Sequence, residues 1–312
     1  MRAVVVRRFG GPEVLELIEV PDPEPGPGQV RLRVEAAGVN PVDAVTRSGA
    51  LAAAGLMGPR ETVGIGWDAA GTVDRLGPGV SGFAPGDRVI GLRDRLDVPL
   101  GAYADALVLD ASALAPAPAG VSAEAAATLP LNGLTALQAL DLLALPAGAT
   151  LLVTGAAGGV GGFAGQLAAR RGLRVVAVAG EGDTAAVRAA GADLVVPRGA
   201  ADLAAEVRSL VPGGVDGALD AALLGVAALG AVRNRGCFVA VSAGAAPLGL
   251  RGVRVDHVWV AADGAALAGL SALAGRGELT LRVADTLPLD RAAAAHHRLA
   301  AGGLRGRLVL VP

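Results

Sequence analysis

The segment TLLVTGAAGGVGG, residues 150–162, joins an apolar run to a turn rich in glycine. The residues that follow, through Arg171, have the composition of a helix. Against the pattern G-x-G-x-x-G, the three key places hold Ala156, Gly158 and Gly161. Gly158 would let the backbone approach a pyrophosphate, and Gly161 would let the helix lie close to the strand. The order of strand, turn and helix therefore predicts a loop that binds a dinucleotide.

The turn and the start of its helix supply the candidate phosphate-binding residues. The first N–H groups of a helix have no partner within it, and the helix dipole adds partial positive charge there. The alternative is a plain glycine-rich turn in a chain rich in alanine and glycine. The strand–turn–helix context favours the dinucleotide interpretation, with the candidate residues Ala156, Ala157, Gly158, Gly159, Val160 and Gly161.

Further apolar strands follow this turn, with alanine-rich helical stretches between them. They are Arg174–Ala179, Asp193–Val196, Val215–Asp220 and Gly236–Ser242. Strands and helices that alternate at this spacing predict βαβ units in a parallel, doubly wound sheet, and so an α/β fold.

Residues 1–118 have a different pattern, of short strands and turns. Val30, Leu32 and Val34 alternate with polar residues, as in a half-buried strand. Pro21–Gly28 holds four prolines and two glycines and must be a loop. We therefore predict an antiparallel β domain in this part. A chain of 312 residues is long enough for two domains of ordinary size.

Composition limits the classes of partner. A formal net charge of −2 gives no long-range field that would attract nucleic acid. A lone cysteine, Cys237, excludes an intramolecular disulfide and a cysteine-rich metal site. No stretch has the features of a signal peptide or a membrane span. We expect a soluble, cytoplasmic protein that binds neither nucleic acid nor membrane.

An ordered set of motifs extends along nearly the whole chain. The set comprises AAGVNPVD at residues 36–43, GWDAAGTV at 66–73, GDRV at 86–89, GAYA at 101–104, LPLNGLTA at 129–136, and residues 297–310 at the end. These motifs resemble those of the zinc-independent medium-chain dehydrogenases/reductases, the family of the quinone oxidoreductases and zeta-crystallin. The resemblance implies a GroES-like domain of residues 1–118 plus 285–312 and a Rossmann domain of residues 119–284. It also implies an active site in the cleft between them, and a homodimer.

Missing ligands indicate the zinc-independent branch. Zinc alcohol dehydrogenases have a cysteine just after the A-G-V motif and a His-Glu pair after the later glycine. Here the two places hold Asn40-Pro41 and Trp67-Asp68, and no four-cysteine insertion follows Val89. A catalytic zinc needs three protein ligands. We therefore predict no metal site.

Without zinc to stabilise an alkoxide, the favoured reaction is reduction of a quinone or an α,β-unsaturated carbonyl, in which conjugation spreads the negative charge. The resemblance implies that Asn40 and Thr135 lie beside the nicotinamide and the substrate. Asn40 could instead be only a turn residue before Pro41. No side chain is predicted as the proton donor. The alternatives are an enoyl- or ketone-reducing biosynthetic enzyme, and a cofactor-binding protein without turnover.

The choice between NADP(H) and NAD(H) depends on the end of the second strand of the βαβ unit. The place of the acidic residue that selects NAD holds Gly180, which leaves room for a 2′-phosphate. By resemblance, Arg198 contacts the adenosine end and Ser242 approaches the nicotinamide ribose. We expect NADP(H), although Glu181 and Asp183 keep NAD(H) possible.

Overall fold

The computed structural model describes Met1–Pro312, and the chain forms two compact units. The first unit contains Met1–Leu131 and Ala261–Pro312, and the second contains Asn132–Val260. These bounds differ from the predicted domain boundaries, because residues 119–131 and 261–284 cluster with the β-rich unit. The second unit is thus a continuous segment inserted between two parts of the first.

The chain before residue 131 forms eight strands. They are β1 (Arg2–Val6), β2 (Glu16–Glu19), β3 (Gln29–Val39), β4 (Val63–Gly64), β5 (Asp68–Leu76), β6 (Arg88–Leu92), β7 (Ala106–Asp110) and β8 (Leu114–Pro116). Three short helices accompany them, α1 (Pro41–Ser48), α2 (Ala50–Ala53) and α3 (Ala123–Ala126), with 3₁₀ turns at Pro12–Val14 and Ala111–Ala113. On β3 the alternating Val30, Leu32 and Val34 are buried as predicted. A small antiparallel sheet has the order β2-β1-β4.

The second unit is built around a parallel sheet of six strands. Its elements are α4 (Pro130–Leu143, which begins at the boundary), β9 (Thr150–Thr154), α5 (Gly159–Arg170), β10 (Arg174–Ala179), α6 (Thr184–Ala189), β11 (Leu194–Pro197), α7 (Leu203–Leu210), β12 (Val215–Asp220), α8 (Val226–Ala231), β13 (Val232–Ala240) and β14 (Arg254–His257). The strand order is β11-β10-β9-β12-β13-β14, and every pair is parallel. The order reverses between β9 and β12, which makes their carboxyl ends the place where such sheets bind ligands.

The last part of the chain completes the first unit. Its elements are α9 (Gly264–Gly275), β15 (Val283–Pro288), α10 (Ala292–Ala301) and β16 (Arg307–Val311). The large sheet has seven strands, in the order β15-β16-β3-β5-β6-β8, with β7 paired to β3. Strand β16 pairs antiparallel with β3, but β15 and β16 are parallel, so this domain is mixed rather than purely antiparallel.

Helix α9 explains why residues 261–284 belong to the first unit. Ser271 Oγ donates to the carbonyl of Pro116 in β8 at 2.6 Å. A Cβ atom on Gly264 would lie 2.3 Å from the carbonyl oxygen of Leu114. Only glycine allows this close approach between the start of α9 and β8. None of the helices has both the length and the apolar character needed to cross a membrane.

Candidate functional site

The glycine-rich turn between β9 and α5 is held by backbone hydrogen bonds. The Ala156 N–H donates to the Val178 carbonyl of β10 at 3.2 Å, and the Gly158 N–H donates to the Gly155 carbonyl at 2.8 Å. Gly155 has φ +59°, in the left-handed region that favours glycine. The tight turn therefore depends on Gly155, one residue before the first place of the motif. This explains why the motif tolerates alanine at 156.

At the last place of the motif, Gly161, there is no room for a side chain. A Cβ atom on Gly161 would lie 2.2 Å from the carbonyl oxygen of Gly155 and 2.7 Å from its carbonyl carbon. Gly158 is the N-cap of α5 in an extended conformation, φ −78° and ψ −174°, which any residue can adopt. At Gly158 a Cβ atom would approach the Gly155 oxygen to 3.1 Å, a tighter contact than usual but far less severe than the 2.2 Å at Gly161. The turn thus has the close helix–strand approach that the motif predicts at its last place.

The start of α5 fits a pyrophosphate. Gly159, Val160 and Gly161 form its first turn, where backbone N–H groups have no partner within the helix. Ala156 is buried, and Ala157 and Gly158 are half-buried beside that helix end. The helix has 12 residues and no acidic residue in its first turn, so no acid of that turn offsets the positive end of its dipole.

A cation lies beside Gly180, at the carboxyl end of β10. A Cβ atom on Gly180 would lie 3.5 Å from Nη2 of Arg198 and 3.4 Å from Oδ2 of Asp183. The Arg198 backbone N–H donates to the Ala179 carbonyl at 2.8 Å, and this bond anchors the backbone of Arg198 to the end of β10. Arg198 is exposed and can meet an anion from solution. The carboxylate close to Gly180 belongs to Asp183. Asp183 is therefore the nearby acid whose negative charge would repel a 2′-phosphate at this place.

Two other predicted residues also lie in the second unit. Ser242 is exposed and lies two residues after the end of β13, so it is at the carboxyl edge of the sheet. Thr135 lies within α4 and is buried, with 5 % of its surface exposed. Their contacts with a cofactor or substrate remain predictions.

Asn40, in the first unit, caps helix α1, and Pro41 occupies the first helical position. Its backbone N–H donates to Oδ2 of Asp43 at 2.7 Å, and its side-chain Nδ2 donates to Oδ2 of Asp68 at 2.7 Å. The other oxygen of Asp68 accepts from the Leu131 N–H at 2.6 Å. Asn40 is therefore a helix cap whose amide nitrogen is oriented by Asp68, as well as the predicted neighbour of the nicotinamide.

A chain of buried polar groups continues from Asp43. Tyr103 Oη donates to Asp43 Oδ2 at 3.0 Å and lies 3.3 Å from Nε2 of His296. Arg47 Nη1 lies 3.0 Å from Nδ1 of His296. Because a guanidinium can only donate, Nδ1 accepts and Nε2 carries the proton of the neutral ring. The hydrogen bonds therefore run from His296 through Tyr103 to Asp43.

Burial shifts the protonation of these groups. It raises the pKa of Asp43 to about 7, with Asp68 adding to the increase and the N–H of Asn40 opposing it. Burial also raises the pKa of Asp68 to about 7, against the bonds from Leu131 and Asn40. For His296, burial and the charge of Arg47 lower the pKa to about 4. Asp43 and Asp68 are therefore mostly protonated below pH 7 and about half protonated at pH 7, where the His296 imidazole is neutral.

The shifted pKa values of Asp43 and His296 predict that the two groups change the stability in opposite directions as pH rises. An unfolded aspartate has a pKa of about 3.9, so between pH 4 and 7 the folded state holds more protons on Asp43, and stability falls as pH rises. Unfolded histidine has a pKa of about 6.5, so His296 makes stability rise between pH 4 and 6.5. Relative to wild type, Asp43→Asn should gain up to about 1.4 kcal/mol of unfolding free energy per pH unit in this window. Urea unfolding in a series of buffers measures it.

His296→Gln is the partner variant for this measurement. It should lose stability relative to wild type as pH rises from 4 to 6.5, opposite to Asp43→Asn. Parallel curves for both variants and wild type would show that neither group changes its protonation on folding.

Sequence reasoning missed several of these polar residues. In the sequence, Asp43 and Asp68 stand only as parts of motifs, and His296 has no predicted role. A possible signal was their place in otherwise buried segments, since a buried charged residue needs partners. Their partners come from distant parts of the chain, and the sequence gives no spacing that would pair them.

Two family descriptions match the chain. Residues 26–119 match "Alcohol dehydrogenase GroES-like domain", and residues 190–310 match "Zinc-binding dehydrogenase". A quinone oxidoreductase of Pseudomonas aeruginosa is 41 % identical over 169 residues, which are 54 % of this chain and 49 % of that protein. The alignment therefore spans about half the length of this relative.

Solved structures match over the whole chain. A structure titled as an NAD-dependent alcohol dehydrogenase is 34 % identical, with a TM-score of 0.89 and full coverage of both chains. A mycobacterial protein solved in complex with NADPH is 32 % identical, with a TM-score of 0.84 and full coverage of both chains. Both the sequence and the arrangement of elements are thus shared with dinucleotide-dependent proteins.

Proposed function

Since this chain belongs to the medium-chain dehydrogenase/reductase family and is similar to its quinone oxidoreductases, we propose that it transfers hydride from NADPH to a quinone or an α,β-unsaturated carbonyl. The observation that carries the proposal is the turn at residues 155–161. It combines a close helix–strand approach at Gly161 with a helix N-terminus that has no acidic residue in its first turn. The guanidinium of Arg198 beside Gly180 supports NADPH, rather than NADH, as the cofactor.

The cofactor supplies the hydride, and the protein's residues bind and orient it. A quinone that accepts one hydride and one proton becomes a hydroquinone, and NADPH becomes NADP⁺. Conjugation spreads the negative charge that develops on the acceptor, so a few hydrogen-bond donors suffice to stabilise it. We propose water as the source of the proton, and Asn40 and Thr135 as polar groups beside the reacting rings.

Zinc independence is part of the proposal, and the use of Asp68 supports it. This residue stands at the second place of the His-Glu pair of the zinc alcohol dehydrogenases. Here its two oxygens accept hydrogen bonds from Asn40 and Leu131. No group of three or more His, Cys, Asp and Glu side chains is arranged to hold a metal ion. A catalytic zinc would need three such ligands.

We expect the purified protein to contain no stoichiometric zinc, and its NADPH oxidation to persist in the presence of a chelator, because Asn40 and Asp68 are engaged in hydrogen bonds. Elemental analysis and a rate measurement after treatment with EDTA check this. One tightly bound zinc per chain, lost together with activity, would overturn it.

The proposed reaction is tested by NADPH oxidation with a panel of small quinones and enones. Turnover across several acceptors supports a general reductase. Turnover only with an enoyl or keto substrate of defined structure would favour a dedicated biosynthetic enzyme. Tight NADPH binding without any turnover would favour a cofactor-binding protein. The homodimer and the cytoplasmic location remain predictions, for which analytical ultracentrifugation and cell fractionation are the tests.

A further inference from the structure

Two buried polar side chains end neighbouring strands at the point where the strand order reverses. Thr154 is the last residue of β9, Asp220 is the last residue of β12, and the two are paired in the parallel register. Neither has any exposed surface. Thr154 Oγ1 donates to Asp220 Oδ1 at 2.6 Å. A charged side chain buried at this place requires partners, and its partners lie in one loop.

That loop is residues 221–225, between β12 and α8. The Ala222 N–H donates to Thr154 Oγ1 at 2.9 Å. The Leu224 N–H donates to Asp220 Oδ1 at 3.1 Å, and the Gly225 N–H donates to Asp220 Oδ2 at 2.7 Å. The two side chains thus accept hydrogen bonds from three backbone N–H groups of a five-residue loop. We call Thr154, Asp220 and these three bonds the loop clasp.

The clasp maintains an unfavourable backbone. Leu223 has φ +59°, in the left-handed region that is unfavourable for a residue with a Cβ atom. Leu223 is also 54 % exposed, so burial of its side chain does not offset this cost. The flanking bonds at Ala222 and Leu224 hold the strained residue between them. Strain of this kind persists where the surroundings fix the chain, and it concentrates at binding sites.

The loop lies against the glycine-rich turn. A Cβ atom on Gly155 would be 3.3 Å from the carbonyl carbon of Ala221 and 3.3 Å from Cβ of Ala222. The loop and the turn therefore form neighbouring walls at the carboxyl ends of β9 and β12. If residues 221–222 moved away, the turn that is proposed to bind the pyrophosphate would lose the packing of this loop against Gly155.

We propose that Asp220 and Thr154 are positioning residues for the dinucleotide, because the loop clasp holds residues 221–225 against the glycine-rich turn. The inference rests on the proposed function. The clasp affects the binding of the pyrophosphate, which NADPH and NADH have in common. It joins β9 to β12, on the opposite side of the turn from the β10–β11 pair that carries Gly180 and Arg198. Its loss should therefore weaken NADPH and NADH by the same factor, whereas loss of Arg198 should weaken NADPH alone.

The test compares three threonine variants. Thr154→Val removes the hydroxyl at nearly constant volume, and Thr154→Ser keeps it. Thr150→Val makes the same chemical change at the amino end of the same strand, where the threonine is also buried. We expect Thr154→Val to raise the Kd of both NADPH and NADH about tenfold, and Thr154→Ser and Thr150→Val to remain near wild type. Fluorescence titration of the two cofactors measures this.

Hydrogen exchange gives a readout independent of cofactor. The Ala222 amide should exchange at least about tenfold faster in Thr154→Val than in Thr150→Val, because it donates to the Thr154 hydroxyl and an amide that loses its bond opens more readily. Asp220→Asn is the second variant. It replaces one carboxylate oxygen by a donor, so the Leu224 and Gly225 amides, which donate to the two oxygens of Asp220, should exchange faster in this variant.

The outcomes separate this inference from the proposed function. If wild type binds both cofactors and Thr154→Val and Asp220→Asn bind them equally well, the clasp is only structural and the inference is wrong. If wild type binds neither cofactor, the proposed function fails. Exchange then still reports whether the clasp orders the loop, but its role for a dinucleotide is refuted.

Discussion

Gly161→Ala should lower the affinity for NADPH by more than about tenfold and destabilise the second unit by about 1–3 kcal/mol. The added Cβ atom would lie 2.2 Å from the Gly155 oxygen and 2.9 Å from Cα of Ala156, both backbone atoms. Relief requires α5 to move away from the turn, and this movement displaces the N–H groups that would bind the pyrophosphate. NADPH titration and thermal unfolding without cofactor measure the two effects.

A matched control lies in the same helix. At Gly165 a Cβ atom would meet only the Ala190 oxygen at 3.6 Å, an ordinary contact. Gly165→Ala should therefore be neutral or stabilising, because alanine favours a helix over glycine by about 1 kcal/mol. Gly158→Val should keep the fold and weaken NADPH about tenfold, since its added atoms point into the region of the pyrophosphate. Equal effects of Gly161→Ala and Gly165→Ala would contradict the close-approach argument.

Arg198→Ala should weaken NADPH binding about tenfold or more and leave NADH almost unchanged. The guanidinium lies beside Gly180, where the 2′-phosphate of NADPH is proposed to lie. A charge-assisted contact of this kind contributes about 1.5–3 kcal/mol. The salt dependence of NADPH binding should also become weaker, because a cation–phosphate attraction is screened by salt. Titration of both cofactors at two ionic strengths provides the measurement.

The acids around Arg198 provide the controls. Asp183→Asn should improve NADPH binding, because Asp183 Oδ2 lies within 3.4 Å of the same point as the guanidinium. Glu181→Gln should act in the same direction and less strongly. If Arg198→Ala weakens NADPH and NADH equally, Arg198 contacts the adenine or supports the loop. A wild type that prefers NADH would reverse the cofactor assignment.

Much of the second unit is encoded by local patterns. Strands β9, β10 and β12 have the predicted bounds, because apolar runs between glycine-rich turns define both ends of a buried parallel strand. The tight approach at Gly161 was also predicted from its place in the motif. Both depend on residues close together in the chain, where spacing determines geometry.

The features that sequence reasoning missed depend on distant residues. Helix α1 lies in a segment assigned to strands and turns, although Asn40 and Pro41 begin it as a standard cap. Asp43, Tyr103 and His296 meet across as many as 253 positions of the sequence. The domain boundary near residue 261 was missed because the contact of α9 with β8 leaves no local signal.

The insertion of one unit into the other has a consequence for folding during synthesis. All strands of the parallel sheet lie between residues 150 and 257. The whole second unit can therefore leave the ribosome and fold before the last strands of the first unit are synthesised. The large sheet of the first unit needs β16, whose Leu308 pairs with Val39 across 269 positions. Pairing at such separation is slow, because loop-closure entropy is lost before the contacts form. We therefore expect β3 to remain exposed on its β16 edge until residues 307–311 have been synthesised. This edge is then the most vulnerable part of the nascent protein to wrong strand pairing.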